Sequence, residues 1–96
     1  MNLFETESGK LLVDAIMSLE SRDELCAFLE DLLTTKEILD LSQRMMIAKL
    51  LTEKKVYNKI AELTGASTAT ISRVNRSFDY GKNGYKTVFE RLEKND

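Results

Sequence analysis

The side chains with the most useful binding chemistry lie close together between positions 67 and 76. Four hydroxyl groups occur there beside two arginines, and no acidic residue lies between Gly65 and Phe78. Short hydroxyl and methyl side chains let a helix enter the DNA major groove and meet base edges, while guanidinium groups bind phosphate. The residues predicted to contact nucleic acid here are Ser67, Thr68, Ala69, Thr70, Ser72, Arg73 and Arg76.

The distribution of charge along the chain supports this interpretation. The net charge is −2, but residues 1–53 carry 5 basic and 11 acidic side chains, whereas residues 54–96 carry 9 and 5. A basic half joined to an acidic half predicts that the basic half faces a polyanion; chance asymmetry in a short acidic protein is the alternative. The side chains predicted to contact backbone phosphates are Lys54, Lys55, Lys59, Arg76 and Lys82, which could also be solvated surface charges.

Composition argues against several kinds of chemistry. The chain has no histidine and a single cysteine, so an intrachain disulfide and a thiolate–histidine zinc site within one chain are excluded. No glycine-rich phosphate loop and no nucleophile with an evident base is present, which predicts a protein that is not an enzyme and has no cofactor or metal. Cys26 lies beside an apolar stripe, and we expect it to be a buried structural residue.

The first residues and the hydropathy of the chain predict its location. The segment from Met1 to Glu5 lacks the basic region and long apolar core of a signal peptide. No apolar run approaches the length needed to span a membrane. We therefore expect a cytoplasmic protein with no membrane partner.

The elements that must position the polar residues are predicted to be helices. The chain has no proline, and its apolar residues recur at helical rather than alternating spacing. Ser21 and Thr34 are each followed three residues later by glutamate, the pattern of a capping box. The pattern predicts an all-α fold of about six helices in one domain, residues 1–96. The predicted helices begin at about residues 10, 22, 35, 56, 67 and 85, with dimerisation helices in 10–53 and a last helix over 85–94.

Residues 56–78 have the spacing of a helix-turn-helix. Gly65 suits the turn, and the small residue Ala61 lies four positions earlier, where two helices would approach. Apolar Ile60 precedes it, and Ile71 and Val74 fit inward positions of the second helix. Thr64, by contrast, stands where an apolar residue is usual. An ordinary αα-hairpin is the alternative.

These residues resemble the Trp repressor family, in particular its TrpR-like YerC/YecD branch. The resemblance extends from about Leu11 to Leu92 and is carried by Leu32-Leu33-Thr34 before a capped helix, by Arg44, and by the run from Gly65 to Arg73. It implies an intertwined all-helical homodimer whose N-terminal helices dimerise and whose helix-turn-helix units project to either side. It also implies that Thr70 and Ser72 contact operator DNA.

The same resemblance implies an effector pocket. Arg44 and Arg73 match two arginines that sandwich an indole ring, and Thr34 and Ser77 match residues at the polar end of that ligand. Val74, however, replaces a pocket glycine, and its side chain would project into the space of the indole. We therefore expect an effector other than tryptophan, of unknown identity, or none. The two arginines could instead hydrogen-bond or pair with carboxylates.

Two functions follow from these observations. The first is a sequence-specific regulator of transcription, by resemblance a repressor, that binds duplex DNA as a homodimer. The second is a helical protein-interaction module that docks a transcription component through its acidic helices and three tyrosines, Tyr57, Tyr80 and Tyr85. The acid-free outer face of the helix that follows Gly65 favours DNA.

Overall fold

A computed structural model describes residues 2–95. Within that range the chain forms one 3-10 turn, η1 (Leu3–Glu5), and six α-helices with no strand. This confirms the predicted all-α fold and the number of helices. The helices are α1 (Glu7–Met17), α2 (Arg22–Leu32), α3 (Thr35–Thr52), α4 (Tyr57–Thr64), α5 (Thr68–Tyr80) and α6 (Gly84–Lys94). None of the helices in the described range has both the length and the apolar character needed to cross a membrane.

The described chain divides into two compact units, the first ending at Ile38 and the second beginning at Leu39. In the first unit, η1 packs against the start of α1. The hydroxyl of Thr6 caps α1 by accepting from the Gly9 amide at 3.0 Å. A Cβ atom on Gly9 would collide with the Leu3 carbonyl and lie 2.9 Å from the Phe4 Cα. Glycine therefore permits the close approach of η1 to α1.

Both predicted capping boxes are present. The Ser21 hydroxyl accepts from the Glu24 amide at 3.1 Å, and the Glu24 carboxylate accepts from the Glu20 amide at 2.8 Å. At Thr34 the exchange is fully reciprocal, because its hydroxyl accepts from the Glu37 amide at 3.1 Å and its own amide donates to the Glu37 carboxylate at 2.9 Å. These bonds satisfy amides that have no partner inside the helix, and they define where α2 and α3 begin.

The helices α1 and α2 contain no buried residue. Apolar side chains on them remain in solvent, including Leu11 at 70% and Met17 at 77% exposure. Cys26 is also exposed, so the expectation of a buried cysteine is wrong for this single chain. The physical reason is that α2 has no fully covered face within the described chain, so a position beside its apolar stripe remains open to solvent.

The core lies in the second unit, where α3, α4 and α5 meet. Its fully buried residues are Ile47, Ala48, Ile60 and Ile71, and Val74 is only 5% exposed. The inward positions predicted for α5 are thereby confirmed, and Phe78 is half-buried against the same cluster. Val56 and Leu63, which share helical spacing with Ile60, are both more than half exposed. The eight-residue α4 covers the core mainly through Ile60, and Val56 lies in extended backbone before the helix begins.

The end of α5 differs from the sequence prediction. α5 continues to Tyr80, past the predicted limit of the helix-turn-helix at residue 78, so the connection to α6 consists of residues 81–83. α3 ends in a Schellman motif: Lys54 is left-handed with φ 60°, its amide donates to the Leu51 carbonyl at 3.0 Å, and the Lys55 amide donates to the Leu50 carbonyl at 3.1 Å. A lysine thus holds a position that glycine usually occupies.

Candidate nucleic-acid interface

The turn between α4 and α5 depends on backbone conformation at Gly65. This residue is left-handed, with φ 73° and ψ 6°, and its amide donates to the Ala61 carbonyl at 2.8 Å. A Cβ atom built on Gly65 would meet no heavy atom within 4 Å, so space is not the constraint. Glycine is required here because other residues adopt the left-handed region at a cost. The predicted turn glycine is confirmed.

Thr64 stands where an apolar residue is usual, and its polar atoms form hydrogen bonds within the turn. Its hydroxyl donates to the Ile60 carbonyl at 2.7 Å and accepts from the Ala66 amide at 3.2 Å. Its carbonyl accepts from Gln43 Nε2 on α3 at 3.2 Å. The turn is therefore hydrogen-bonded internally and also tied to α3. Sequence reasoning missed Gln43, since a glutamine on a long helix carries no signal of a partner 21 residues away.

The first turn of α5 is fixed by its N-cap residue, Ser67. Its hydroxyl accepts from the Thr70 amide at 3.1 Å and lies 3.1 Å from the Thr70 hydroxyl. The predicted cap is confirmed. Ile71 and Val74, packed in the core, hold the helix from its inner side. Capping and core packing together set which side chains α5 presents outward.

Most of the residues predicted to contact nucleic acid are exposed on the outer face of α5 or at its N-cap. The exposed members are Ser67, Thr68, Ala69, Ser72, Arg73 and Arg76, and Thr70 is half-buried. No carboxylate interrupts this face before Asp79. The first turn of α5 carries no acidic residue, so its unpaired amides and the positive end of the helix dipole are not offset by a local negative charge. The surface can accept an anion or a base edge.

The predicted phosphate contact Lys59 on α4 is already engaged. Its Nζ lies 3.8 Å from the Glu62 carboxylate one turn later, and both side chains are largely exposed. Such a surface pair contributes little, about 0–1 kcal/mol, so it would release readily to a stronger partner. Lys54, Lys55 and Lys82 are also exposed, on the segments that flank α4 and follow α5.

Most of the predicted effector residues line one open pocket of about 260 Å³ in the second unit. Arg44 reaches it from α3, Arg73, Val74 and Ser77 from α5, and the half-buried Thr70 joins them. The sixth lining residue, Tyr85 of α6, was missed by sequence reasoning. Its ring lies near those of Phe78 and Phe89, with centroids 6.3 and 6.4 Å away. From the sequence, Tyr85 was considered for the last helix and for docking a protein partner, not for a pocket.

Thr34, the remaining predicted effector residue, belongs to the first unit. Thr34 serves as the cap of α3, where both its hydroxyl and its amide are engaged by Glu37. Val74 also lines the pocket but is only 5% exposed, because its side chain belongs to the buried core. The pocket of this chain is therefore lined by two guanidinium groups and three hydroxyls around one buried valine.

The two helices α4 and α5 are joined through a left-handed glycine. The second helix is capped, packs against the core on one side and is exposed on the other. These features define an all-α protein of the helix-turn-helix class. Comparison with known proteins gives the family. The profile described as Trp repressor protein matches residues 7–93, and the chain belongs to this family.

Similar proteins agree with this assignment. The uncharacterized protein YerC of Bacillus subtilis (strain 168) is 42% identical over 85 residues, covering 88% of this chain and 82% of its own length. The crystal structure of a TrpR-like protein from Eubacterium eligens ATCC 27750 has a TM-score of 0.91 at 55% identity, covering 97% of this chain and 96% of that one. A candidate Trp repressor from Staphylococcus aureus has a TM-score of 0.89 at 40% identity, covering 97% and 95%. The resemblance inferred from sequence is thereby confirmed.

Proposed function

We propose that this protein regulates transcription by binding duplex DNA through α4 and α5 as a homodimer, with α5 in the major groove. The observation that carries the proposal is the outer face of α5, which is exposed, free of carboxylates and fixed by the Ser67 cap and the buried Ile71 and Val74. A recognition helix needs these features, because base edges are read by side chains held in register. Membership of the Trp repressor family supports the same function.

The homodimer is supported by the apolar surface that α1, α2 and α3 leave in solvent. Large apolar side chains are exposed on all three helices, and scattered single ones would need no explanation. Here they recur at helical spacing, which marks stripes that must pack against something. The members with more than a third of their surface exposed are Leu11, Leu12, Val13, Ile16, Met17, Leu32, Leu39, Leu41, Met45 and Met46.

The roles proposed for individual residues follow from their positions. Ser72, exposed in the second turn of α5, and Thr70, bonded to the cap, read base edges. Arg76 and Lys59 contact phosphates and position the helix without reading sequence. Tryptophan is not the co-repressor, because the Val74 side chain occupies the base of the pocket. Of the three tyrosines considered for protein docking, Tyr57 and Tyr85 pack partly against the core, which disfavours the interaction module.

Selection of bound sequences from random duplex DNA tests the proposal. We expect enrichment of a pseudo-palindrome whose half-sites are about one helical turn, roughly 34 Å, apart. The Ser72→Ala variant should shift the preferred bases. The Arg76→Gln variant should weaken binding to all sequences alike and lower the salt slope by about 0.9. If no sequence is enriched at low salt, the interaction module is the better account.

A further inference from the structure

We propose that the pocket lined by Arg44 and Arg73 is an oxyanion site, and that its occupant is a backbone phosphate of the bound DNA. This rests on the proposed function, and it adds α3 to the DNA-binding surface, because Arg44 lies outside the helix-turn-helix. A DNA phosphate and a free phosphate are both tetrahedral oxyanions, so either could occupy the site.

The charge of the pocket is the first feature that indicates an oxyanion site. Arg44 and Arg73 are contributed by different helices, and no acidic residue is among the residues that line the pocket. Within residues 2–95, neither guanidinium has a carboxylate within ion-pair distance, in contrast to Lys59 beside Glu62. Among the described residues, the alternative considered from sequence, pairing of these arginines with carboxylates, does not occur. Two uncompensated positive charges on one concave surface attract an anion.

The other lining groups suit a compact oxyanion. Thr70, Ser77 and Tyr85 add hydroxyl groups around the two guanidiniums. Guanidinium forms parallel bonds with phosphate oxygens, and hydroxyls can donate to the remaining ones. Val74 closes the base of the pocket with a branched apolar group. A flat aromatic amino acid would have to displace it, whereas a tetrahedral anion needs only the charged rim.

The position of the pocket identifies the source of the anion. Thr70 and Arg73 belong both to the pocket and to the predicted DNA contacts of α5. The Thr70 hydroxyl lies 3.1 Å from the hydroxyl of the cap residue Ser67. An oxyanion in the pocket therefore lies beside the first turn of the proposed recognition helix, where a helix in the groove is flanked by backbone phosphate. A phosphate held there would position α5 without a small-molecule effector.

The test compares Arg44→Gln with Arg91→Gln, an exposed arginine on α6 outside the pocket. DNA affinity is measured over a series of salt concentrations for the wild type and both variants. We expect Arg44→Gln to lower the slope of log affinity against log salt by about 0.9 for each phosphate that it leaves without a cationic partner, and Arg91→Gln to leave the slope unchanged. Equal slopes for the wild type and Arg44→Gln would overturn the assignment to DNA phosphate.

A second arm titrates inorganic phosphate into the DNA-free wild type and Arg44→Gln proteins, following arginine Nε–Hε signals by NMR. Signals of Arg44 and Arg73 that shift together in the wild type, with the Arg73 shift abolished in Arg44→Gln, support the oxyanion site. If they shift but the salt slopes are equal, the free anion is the occupant and the DNA assignment is wrong. If the arginine signals do not move and the salt slopes of the wild type and Arg44→Gln are equal, the oxyanion site is contradicted. A wild type that binds no DNA would contradict the proposed function, while this arm would still test the pocket.

Discussion

Gly65 and Gly84 differ in backbone conformation, and the effect of this difference on stability can be measured. A Cβ atom would have open space at both, but only Gly65 has a left-handed backbone. We expect Gly65→Ala to lower the free energy of unfolding by about 1–2 kcal/mol, the usual cost of a left-handed non-glycine residue. Gly84→Ala, at the first residue of α6, should leave it unchanged or raise it slightly. Urea denaturation at one protein concentration gives both values, and equal effects would refute this account of the turn.

Val74 determines whether the pocket can accept an indole ring. Its side chain is stiff at χ1 and packed at 5% exposure, so it cannot swing aside. Overfilling a packed site costs ~1–3 kcal/mol, enough to weaken a ligand about five- to 150-fold. Calorimetry should therefore detect no saturable binding of L-tryptophan at physiological concentrations. Saturable binding coupled to tighter DNA binding would contradict the steric account.

The matched variant is Val74→Gly, which removes the side chain at the base of the pocket. If steric exclusion is the cause, this variant gains tryptophan binding in the same calorimetric experiment. It also removes a buried side chain from a helix, which costs about 1 kcal/mol in helix propensity besides the packing. Circular dichroism should verify that the variant is folded before its ligand binding is interpreted.

At the scale of the elements, a long-range side-chain bond joins α3 to the α4–α5 turn, from Gln43 to the Thr64 carbonyl at 3.2 Å. Gln43→Met keeps the length of the side chain but cannot donate, so we expect a decrease of about 0.5–1.5 kcal/mol in the free energy of unfolding. Gln43→Glu should lower it more at neutral pH, because an ionised carboxylate would face a carbonyl with no proton to donate. Chemical denaturation measures both variants, and a Gln43→Glu protein as stable as the wild type would show that this bond contributes nothing.

The elements also show how far the sequence alone predicts this structure. Capping boxes at Ser21 and Thr34 and the glycine of the turn are local signals, because the atoms that satisfy them lie within four residues. Five of the six helix starts lie within one residue of their predicted positions, and α1 begins earlier, at Glu7. The site was harder to predict: the bond from Gln43 and the place of Tyr85 in the pocket depend on helices distant in sequence.

At the scale of the whole molecule, the exposed apolar stripes predict self-association. We expect sedimentation equilibrium at micromolar concentration to give twice the chain mass of 11.0 kDa. Met17→Glu places a charge on an apolar position that is 77% exposed in the single chain, so it should weaken the dimer. Lys10→Glu, an exposed polar position on the same helix, is the control and should not. A wild-type mass of one chain would contradict the dimer.

The central claim, that the outer face of α5 binds DNA, is tested most directly by the affinity of Ser72→Glu for a selected duplex, measured by fluorescence anisotropy. This change puts a carboxylate on the acid-free face, whereas the control Ser8→Glu puts one on an exposed site in the first turn of α1. We predict that Ser72→Glu weakens binding about tenfold or more, since removing one base-edge interaction costs ~1–3 kcal/mol and repulsion from phosphate adds to it. Ser8→Glu should bind as the wild type does. Equal affinities for Ser72→Glu and the wild type would contradict the account.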